Sequence, residues 1–270
     1  MRFFLKIIFM FTITLPIGVE AMIPYEPDRV DPMRELWRWH EISAFSGKGV
    51  RCITVDSQEV VWVGCDDGVL RYDGMNITVY NENALKEKSI IVIEAGPDGK
   101  IYAGSTEEIY IFEHGKWTAL NVPFPLSDYR YPILITRNHG VWIGTEVGLV
   151  KVEPEYFILY TNDSQHKIPR GVGPEYLQET ALTGYRVNDI YKDHDWLWIS
   201  LEDGRTFKKH LADDHISWIE MPRVPMRRAK NAYLPVVDIL RVNPQNIWII
   251  NERFSYGIDI WNESRQAWDY

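Results

Sequence analysis

Tyrosine and arginine recur together at three places between the apolar runs of this sequence: Tyr129-Arg130-Tyr131, Tyr185-Arg186, and Arg227-Arg228 followed by Tyr233. Aromatic faces stack on sugar rings, and the guanidinium fork pairs with carboxylates or sulfates. Together these side chains suit an oligosaccharide or another small ligand, and a basic cluster on an acidic chain favours an anionic one. The same residues also read as solvated loop charges and rim tyrosines. A second cluster, His210-Leu211-Ala212-Asp213-Asp214-His215, places two imidazoles and two carboxylates within six residues, donors that suit a divalent metal. Asp-Asp is equally ordinary turn chemistry, and no third histidine lies nearby, so no metal and no cofactor is assigned. There is no nucleophile elbow, no HExxH, no phosphate loop and no spaced zinc cysteines. No catalytic residue is assigned, although a carboxylate pair drawn from separate segments would leave no motif.

Composition narrows the partners. The 270 residues carry a formal net charge of −9, the wrong sign for general nucleic-acid or anionic-membrane binding, which needs a basic footprint. Aromatic residues make up 13% of the chain, with 11 Trp and 15 Tyr, a level that sheets packed face to face would require. The N-terminus reads as an export signal: Arg2 and Lys6, an apolar core over 7–19, then Val19-Glu20-Ala21 with small residues before a cleavage point at Met22. Residues 1–21 are therefore expected to be a signal peptide and the protein periplasmic. Residues 22–36, with Pro24, Pro27 and Pro32, are expected to be an extended linker.

The elements that must carry the tyrosines and arginines are set by a repeat. Residues 140–151 read GVWIGTEVGLVK: an apolar run, a turn at Gly144-Thr145-Glu146, and a second run from Gly148, which is a β-hairpin pattern. Val61-Trp62-Val63-Gly64-Cys65, Ile101-Tyr102-Ala103-Gly104-Ser105, Leu197-Trp198-Ile199-Ser200 and Ile247-Trp248-Ile249-Ile250 repeat it. The anchors Trp62, Tyr102, Trp142, Trp198 and Trp248 are 40, 40, 56 and 50 residues apart, a propeller-blade period with additions in two copies. Ile53, Ile93, Ile133 and Ile239 each precede the anchor by nine residues, and Ile190 precedes its Trp by eight. Tyr72, Phe112 and Val152 follow the anchor by ten, and an aromatic-bearing segment comes after. Each copy thus offers four short strands, a to d, with the anchor on b. A sheet of about 40 residues cannot bury both faces alone, so the copies must stack around an axis.

Trp62-Val63-Gly64-Cys65-Asp66-Asp67-Gly68-Val69 with Tyr72-Asp73-Gly74, and Trp142-Ile143-Gly144-Thr145 with Gly148-Leu149, resemble the two-component regulator propeller repeat. The other copies depart from it: Tyr102 replaces Trp, Ser200 replaces Gly, and the last copy lacks Gly-Thr. The resemblance covers residues 35–270 and implies a periplasmic sensor module of a bacterial hybrid two-component system, detecting polysaccharide breakdown products. In that family a β-sandwich, a transmembrane helix and a kinase follow; no kinase motif occurs here.

The expected fold is all-β: a propeller of four-stranded antiparallel blades over residues 37–270, with five blades at 50–80, 90–120, 130–160, 187–220 and 236–270 in an incomplete ring. Residues 36–42 look like a spare d strand, and 161–185 and 222–234 like long d-to-a connections, the first with a short helix over 175–181. The expected function is a ligand-sensing propeller module, partnered by an oligosaccharide and by a missing C-terminal kinase portion or another chain capping the open edge. The alternatives are a free periplasmic interaction scaffold and a lyase or hydrolase of a polyanionic glycan. Cys52 and Cys65 would oppose one another in one register and face opposite sides in the register one residue away.

Overall fold

Short strands rich in Val, Ile, Trp and Tyr alternate with tight turns throughout the described chain. The computed structural model describes residues 41–128, 130–137, 140–161, 164–173, 175–176, 184–211, 219–221, 236–243, 246–251 and 258–269. Met1–Ser43 and Ala44–Tyr270 are separate units, and only residues 41–43 of the first are described. The expected signal segment and linker and most of the expected spare strand therefore lie outside the described residues. So do Tyr129, Arg227, Arg228 and Tyr233.

The second unit holds five antiparallel sheets. Blade 1 is β1 (Cys52–Val55), β2 (Val61–Cys65), β3 (Gly68–Tyr72) and β4 (Ile77–Tyr80). Blade 2 is β5 (Val92–Ala95), β6 (Ile101–Gly104), β7 (Ile109–Glu113) and β8 (Lys116–Leu120). Blade 3 is β9 (Ile133–Thr136), β10 (Gly140–Thr145), β11 (Gly148–Val152), β12 (Tyr156–Tyr160) and an added β13 (Gln165–Pro169). Blade 4 is β14 (Val187–Asp193), β15 (Trp196–Leu201), β16 (Thr206–His210) and β17 (Ile219–Glu220). Blade 5 is β18 (Val236–Asn243), β19 (Asn246–Asn251), β20 (Ile258–Asn262) and β21 (Ala267–Asp269). In every sheet the strands pair in chain order. The first strands meet in series, β1 with β5, β5 with β9, β9 with β14 and β14 with β18, so they line the axis.

β13 corrects the sequence reading. Residues 161–185 were expected to be irregular, yet Gln165–Pro169 pairs along all of β12, from Tyr160↔Gln165 to Tyr156↔Pro169. Arg170 fixes its end: Nε and Nη2 both donate to the Glu153 carbonyl, at 3.1 and 2.8 Å. The strand went unseen because Gln-His-Lys-Ile-Pro has neither an apolar alternation nor β-branched richness; an edge strand needs only one buried residue, here Ile168. Of the expected helix, Glu175 and Tyr176 are helical and the remainder lies outside the described residues.

Register explains the repeat. Ile53, Ile93, Ile133, Ile190 and Ile239 pair with Val63, Ala103, Ile143, Ile199 and Ile249, in each case the residue after the anchor. Because side chains alternate, each of these isoleucines shares the sheet face opposite to its anchor. The joints follow. The Trp62 face of blade 1 packs on Ile93, Ala103 and Tyr110 of blade 2. Tyr102 meets Ile133, Ile143 and Val150; Trp142 meets Ile190 and Ile199; Trp198 meets Ile239 and Ile249. One joint type is thus used four times, with the anchor-bearing face of one sheet on the isoleucine-bearing face of the next.

The b-to-c turns are closed by the residue after the glycine. Thr145 Oγ1 donates to the Gly148 carbonyl at 2.7 Å, and Ser105 Oγ accepts from the Glu107 and Glu108 N–H groups. Gly148 sits at φ +143, where a Cβ would meet the Tyr160 carbonyl. The same register separates the cysteines. Cys52 pairs with Gly64, and Cys65 with Gly68. The two thiols are therefore on opposite faces, and both are free.

Candidate functional site

The d-to-a connections and b-to-c turns lie at one end of the sheets, where sequence reasoning placed the ligand. Tyr131 is not available there. It is 1% exposed, its ring enclosed between blades 2 and 3, and its hydroxyl donates to the Ser105 carbonyl at 2.8 Å. Burial pushes that phenol far above its ordinary range. The expectation failed because a tyrosine entering an inner strand points into a joint rather than over the rim. Arg130 is exposed. Tyr185 is 38% exposed, but the Arg205 guanidinium lies 4.5 Å from its ring centroid. Arg186 Nε donates to Asn188 Oδ1 at 3.0 Å. Beside Tyr185, the cavity bounded by Gly148, Thr161, Val187 and Leu201 is about 30 Å³, room for about one water molecule.

A larger cavity, of about 290 Å³, opens between blades 3 and 4. It begins at the opposite end of the sheets, where the a-to-b and c-to-d turns lie. Blade 3 contributes Trp142 near the start of β10, Lys151 and Glu153 at the end of β11, Tyr156 and Tyr160 on β12, and Lys167 on β13. Blade 4 contributes Lys209 at the end of β16, with Leu211 just beyond it. The added strand β13 extends the wall and carries one of the three lysines.

Register sets this joint apart from the first. On strand c, Tyr72, Phe112, Val152, Lys209 and Trp261 pair with Val61, Ile101, Val141, Leu197 and Ile247, the residue before each anchor. They occupy one equivalent trailing-face position in five sheets. At the first joint Phe112 fills it, 4.9 Å from Trp62 by ring centroids, and Tyr80 and Trp117 complete a four-ring cluster. At the third joint the position is lysine. Trp142 and Tyr160 still stack, at 5.8 Å and 30°, but no ring comes from Lys209 to close the space in front of them.

The three ammonium groups sit over aromatic rings. Lys151 Nζ is 5.6 Å from the Trp142 ring, Lys167 Nζ 5.0 Å from Tyr156, and Lys209 Nζ 5.9 Å from Tyr160, within the range of cation–aromatic attraction. Lys151 also pairs with Glu153 at 2.6 Å. Lys209 is 4% exposed, unusual for lysine. The Trp142 indole N–H is buried with no hydrogen-bond partner. The described lining thus offers three cations and one carboxylate, plus an indole donor without an acceptor.

Sequence reasoning missed this site for a countable reason. The b-to-c turn of blade 4 is longer, with Leu201 N–H closing on the Arg205 carbonyl. Lys209 therefore stands eleven residues after its anchor, where Phe112 and Val152 stand ten after theirs. Of the His-Asp-Asp-His cluster, His210 packs edge-on against Trp196 at 5.1 Å and residues 212–218 lie outside the described residues. Among the described residues no group of three or more His, Cys, Asp or Glu could hold a metal.

No family model matches the chain, and no curated protein matches its sequence. Solved structures share its fold. The extracellular domain of BT4673 from B. thetaiotaomicron, assigned to a hybrid two component system, is 17% identical with a TM-score of 0.53 over 82% of this chain and 27% of its own. A catalytically inactive virginiamycin B lyase from Staphylococcus aureus with quinupristin is 16% identical, TM-score 0.54, over 83% of this chain and 70% of its own. PorZ, a surface component of the type-IX secretion system of Porphyromonas gingivalis, is 14% identical, TM-score 0.53, over 82% and 33%. The chain spans about a quarter of the BT4673 domain. At these identities the likeness is one of fold, and the chain is an all-β propeller whose five blades form an incomplete ring.

Proposed function

We propose that this chain is the ligand-sensing propeller portion of an exported signalling protein, and that it binds an oligosaccharide in the cleft between blades 3 and 4. The observation that carries the reading is that cleft: about 290 Å³, walled by Trp142, Tyr156 and Tyr160 and opened by a lysine where another blade has phenylalanine. Its size is near the lower bound of small-ligand sites, roughly 300–1,000 Å³, and suits one or two sugar units rather than a protein segment. Resemblance of the repeat to sensor propellers, and likeness of fold to an extracellular domain assigned to a two component system, support the sensing role. A binding module fits a lining that carries three cation–aromatic contacts.

The test is a thermal-shift screen of the full chain against neutral and acidic oligosaccharides. A ligand that binds only the folded state raises Tm with concentration. Absence of a shift with every sugar would end the oligosaccharide reading. The likeness to lyases supports a second reading, of a propeller lyase. Under that reading a polyanionic glycan would be cleaved, with new unsaturated ends absorbing in the ultraviolet; binding without cleavage over days favours the sensor.

A further inference from the structure

We propose that the uncovered isoleucine face of blade 1 is an interaction surface, and that its partner is the anchor face of blade 5 on a second copy of this chain, joined head to tail. The proposal is independent of the ligand reading. The joint between blades 1 and 2 is its template. There Trp62 and Val69 of blade 1 enclose Leu85, Ile90 and Ile93 of blade 2, all 2% exposed or less. Leu85 and Ile90 precede Ile93 by eight and three residues, and Phe45 and Val50 precede Ile53 by the same counts. Leu85 and Phe45 each end a short helical turn, Asn83–Leu85 and Ser43–Phe45. The equivalent set in blade 1 is open: Val50 is 50% exposed, Ile53 64%, and Phe45 only partly buried. Val55 and Val79 are exposed on the same face, the latter through the row Ile53–Val63–Leu70–Val79. Polar bonds cross the template joint too. The Ile90 N–H donates to the Cys65 carbonyl at 2.8 Å and the Ala95 N–H to Thr54 Oγ1 at 3.3 Å. Val50 and Val55 stand where Ile90 and Ala95 stand, with no acceptor from a preceding sheet among the described residues.

The occupant follows from blade 5. Trp62, Tyr102, Trp142 and Trp198 are 4% exposed or less. The fifth anchor, Trp248, is only partly buried, as are Leu240 and Ile260, which pair with it on either side. Where blade 5 has Ile260, blades 1, 3 and 4 carry Arg71, Lys151 and Lys208. Blade 5 therefore presents the row Leu240–Trp248–Ile260 without a charge. Its opposite face, with Ile239, Ile247, Ile249 and Trp261, is buried against Trp198 of blade 4. Each copy thus presents one open isoleucine face and one open anchor face, the two halves of the joint used four times within the chain. The exposure of Ile53 shows that a copy does not cover it with its own blade 5. A contact between two different faces is heterologous, so copies add end to end.

The experiment is sedimentation velocity of the 270-residue chain across a range of concentrations. The parent is expected to sediment faster as concentration rises. Added salt should strengthen this, because it screens repulsion between chains of net charge −9 and leaves apolar contact intact. Ile53→Asp changes an exposed side chain, so the fold is kept, and should weaken self-association roughly tenfold or more. Trp248→Ala should weaken it from the other face, with circular dichroism to check folding. The decisive measurement mixes labelled Ile53→Asp with excess parent. Its blade 5 is intact, so it should co-sediment with parent chains, and this arm stands even if Trp248→Ala does not fold. If the parent is monomeric at every concentration, or if Ile53→Asp associates as the parent does, the proposal falls. If Ile53→Asp neither self-associates nor joins the parent, the contact is blade 1 on blade 1 and the head-to-tail proposal falls.

Discussion

Three glycines show what one missing Cβ does in this fold. A Cβ on Gly64 would meet Cys52 Sγ and, at 2.7 Å, Ile90 Cγ2; one on Gly144 would meet Pro132 Cγ at 2.7 Å; one on Gly104 would meet the Tyr131 hydroxyl. None needs a left-handed backbone. Each is glycine because the segment entering the next joint presses directly on its strand. Gly104→Ala should displace the buried Tyr131 from its bond to the Ser105 carbonyl and destabilise by about 1–3 kcal/mol, as overpacking does; urea denaturation measures it. Cys52 and Cys65 make the opposite prediction, of inertness. Burial pushes the Cys52 thiol up to about 12, and Cys65 is also raised by burial and by Asp66. With the thiols on opposite faces, oxidants should form no bridge in the folded protein, and thiol reagents should label Cys65 only after denaturation.

Asp193 gives a pH dependence at the same scale. Burial pushes its carboxyl up, but hydrogen bonds from Arg241 and His194 and their charges outweigh this and hold it below 3.8. The Arg241 guanidinium reaches both Asp193 oxygens and Glu263, and its backbone N–H donates to Tyr191 Oη at 3.1 Å, so blade 5 is tied to blade 4. A carboxyl depressed on folding contributes stability that is complete above its unfolded value near 3.8 and is lost as pH falls through the lower folded value. Asp193→Asn should therefore be less stable than the parent at pH 7, and the gap should narrow as pH falls below about 4. Urea midpoints across that range decide it; a gap constant with pH would sink the assignment.

At the scale of elements, the second strand of each sheet organises its joint. Trp142 is 2% exposed and stacks on Tyr160, so Trp142→Ala should cost about 3–5 kcal/mol and be felt by both blades 3 and 4, read as loss of native-state hydrogen-exchange protection in both. Two anchors, unlike Trp142, are hydrogen-bonded to their turns: Trp62 Nε1 donates to Asp56 Oδ2 and the Tyr102 hydroxyl to Asp98 Oδ2, both at 2.9 Å. Burial raises the Asp56 carboxyl, yet bonds from Trp62, Gln58 and Val60 bring it net below its ordinary value. Strands a to d were legible because alternation and turn residues recur at fixed offsets. β13 was not, because its pairing with β12 is decided by a free edge rather than by its own side chains.

For the whole molecule, the equivalent isoleucines mark where the ring is open. Ile93, Ile133, Ile190 and Ile239 are 8% exposed or less, each covered by the preceding sheet; Ile53, in the same position of blade 1, is 64% exposed. Ile93→Ala should cost about 2–5 kcal/mol, whereas Ile53→Ala should stay within about 0.5 kcal/mol. Equal losses in chemical denaturation would mean that blade 1 is covered as the other blades are.

Strands a to d and their order within each blade were readable from the linear chain, whereas the fifth strand of blade 3 and the choice of which faces meet were not. The readable strands follow from alternation and from turn residues within some forty positions, and local sterics and burial enforce both. Which joint opens into a cavity was decided only in three dimensions. Lys209, Trp142 and Lys167 come from different sheets or strands, and their meeting depends on register, on a turn one residue longer, and on an edge strand that the linear pattern does not announce. Tyr131 shows the converse: an aromatic residue in a connecting segment reads as a surface group until the neighbouring sheet is in place to enclose it.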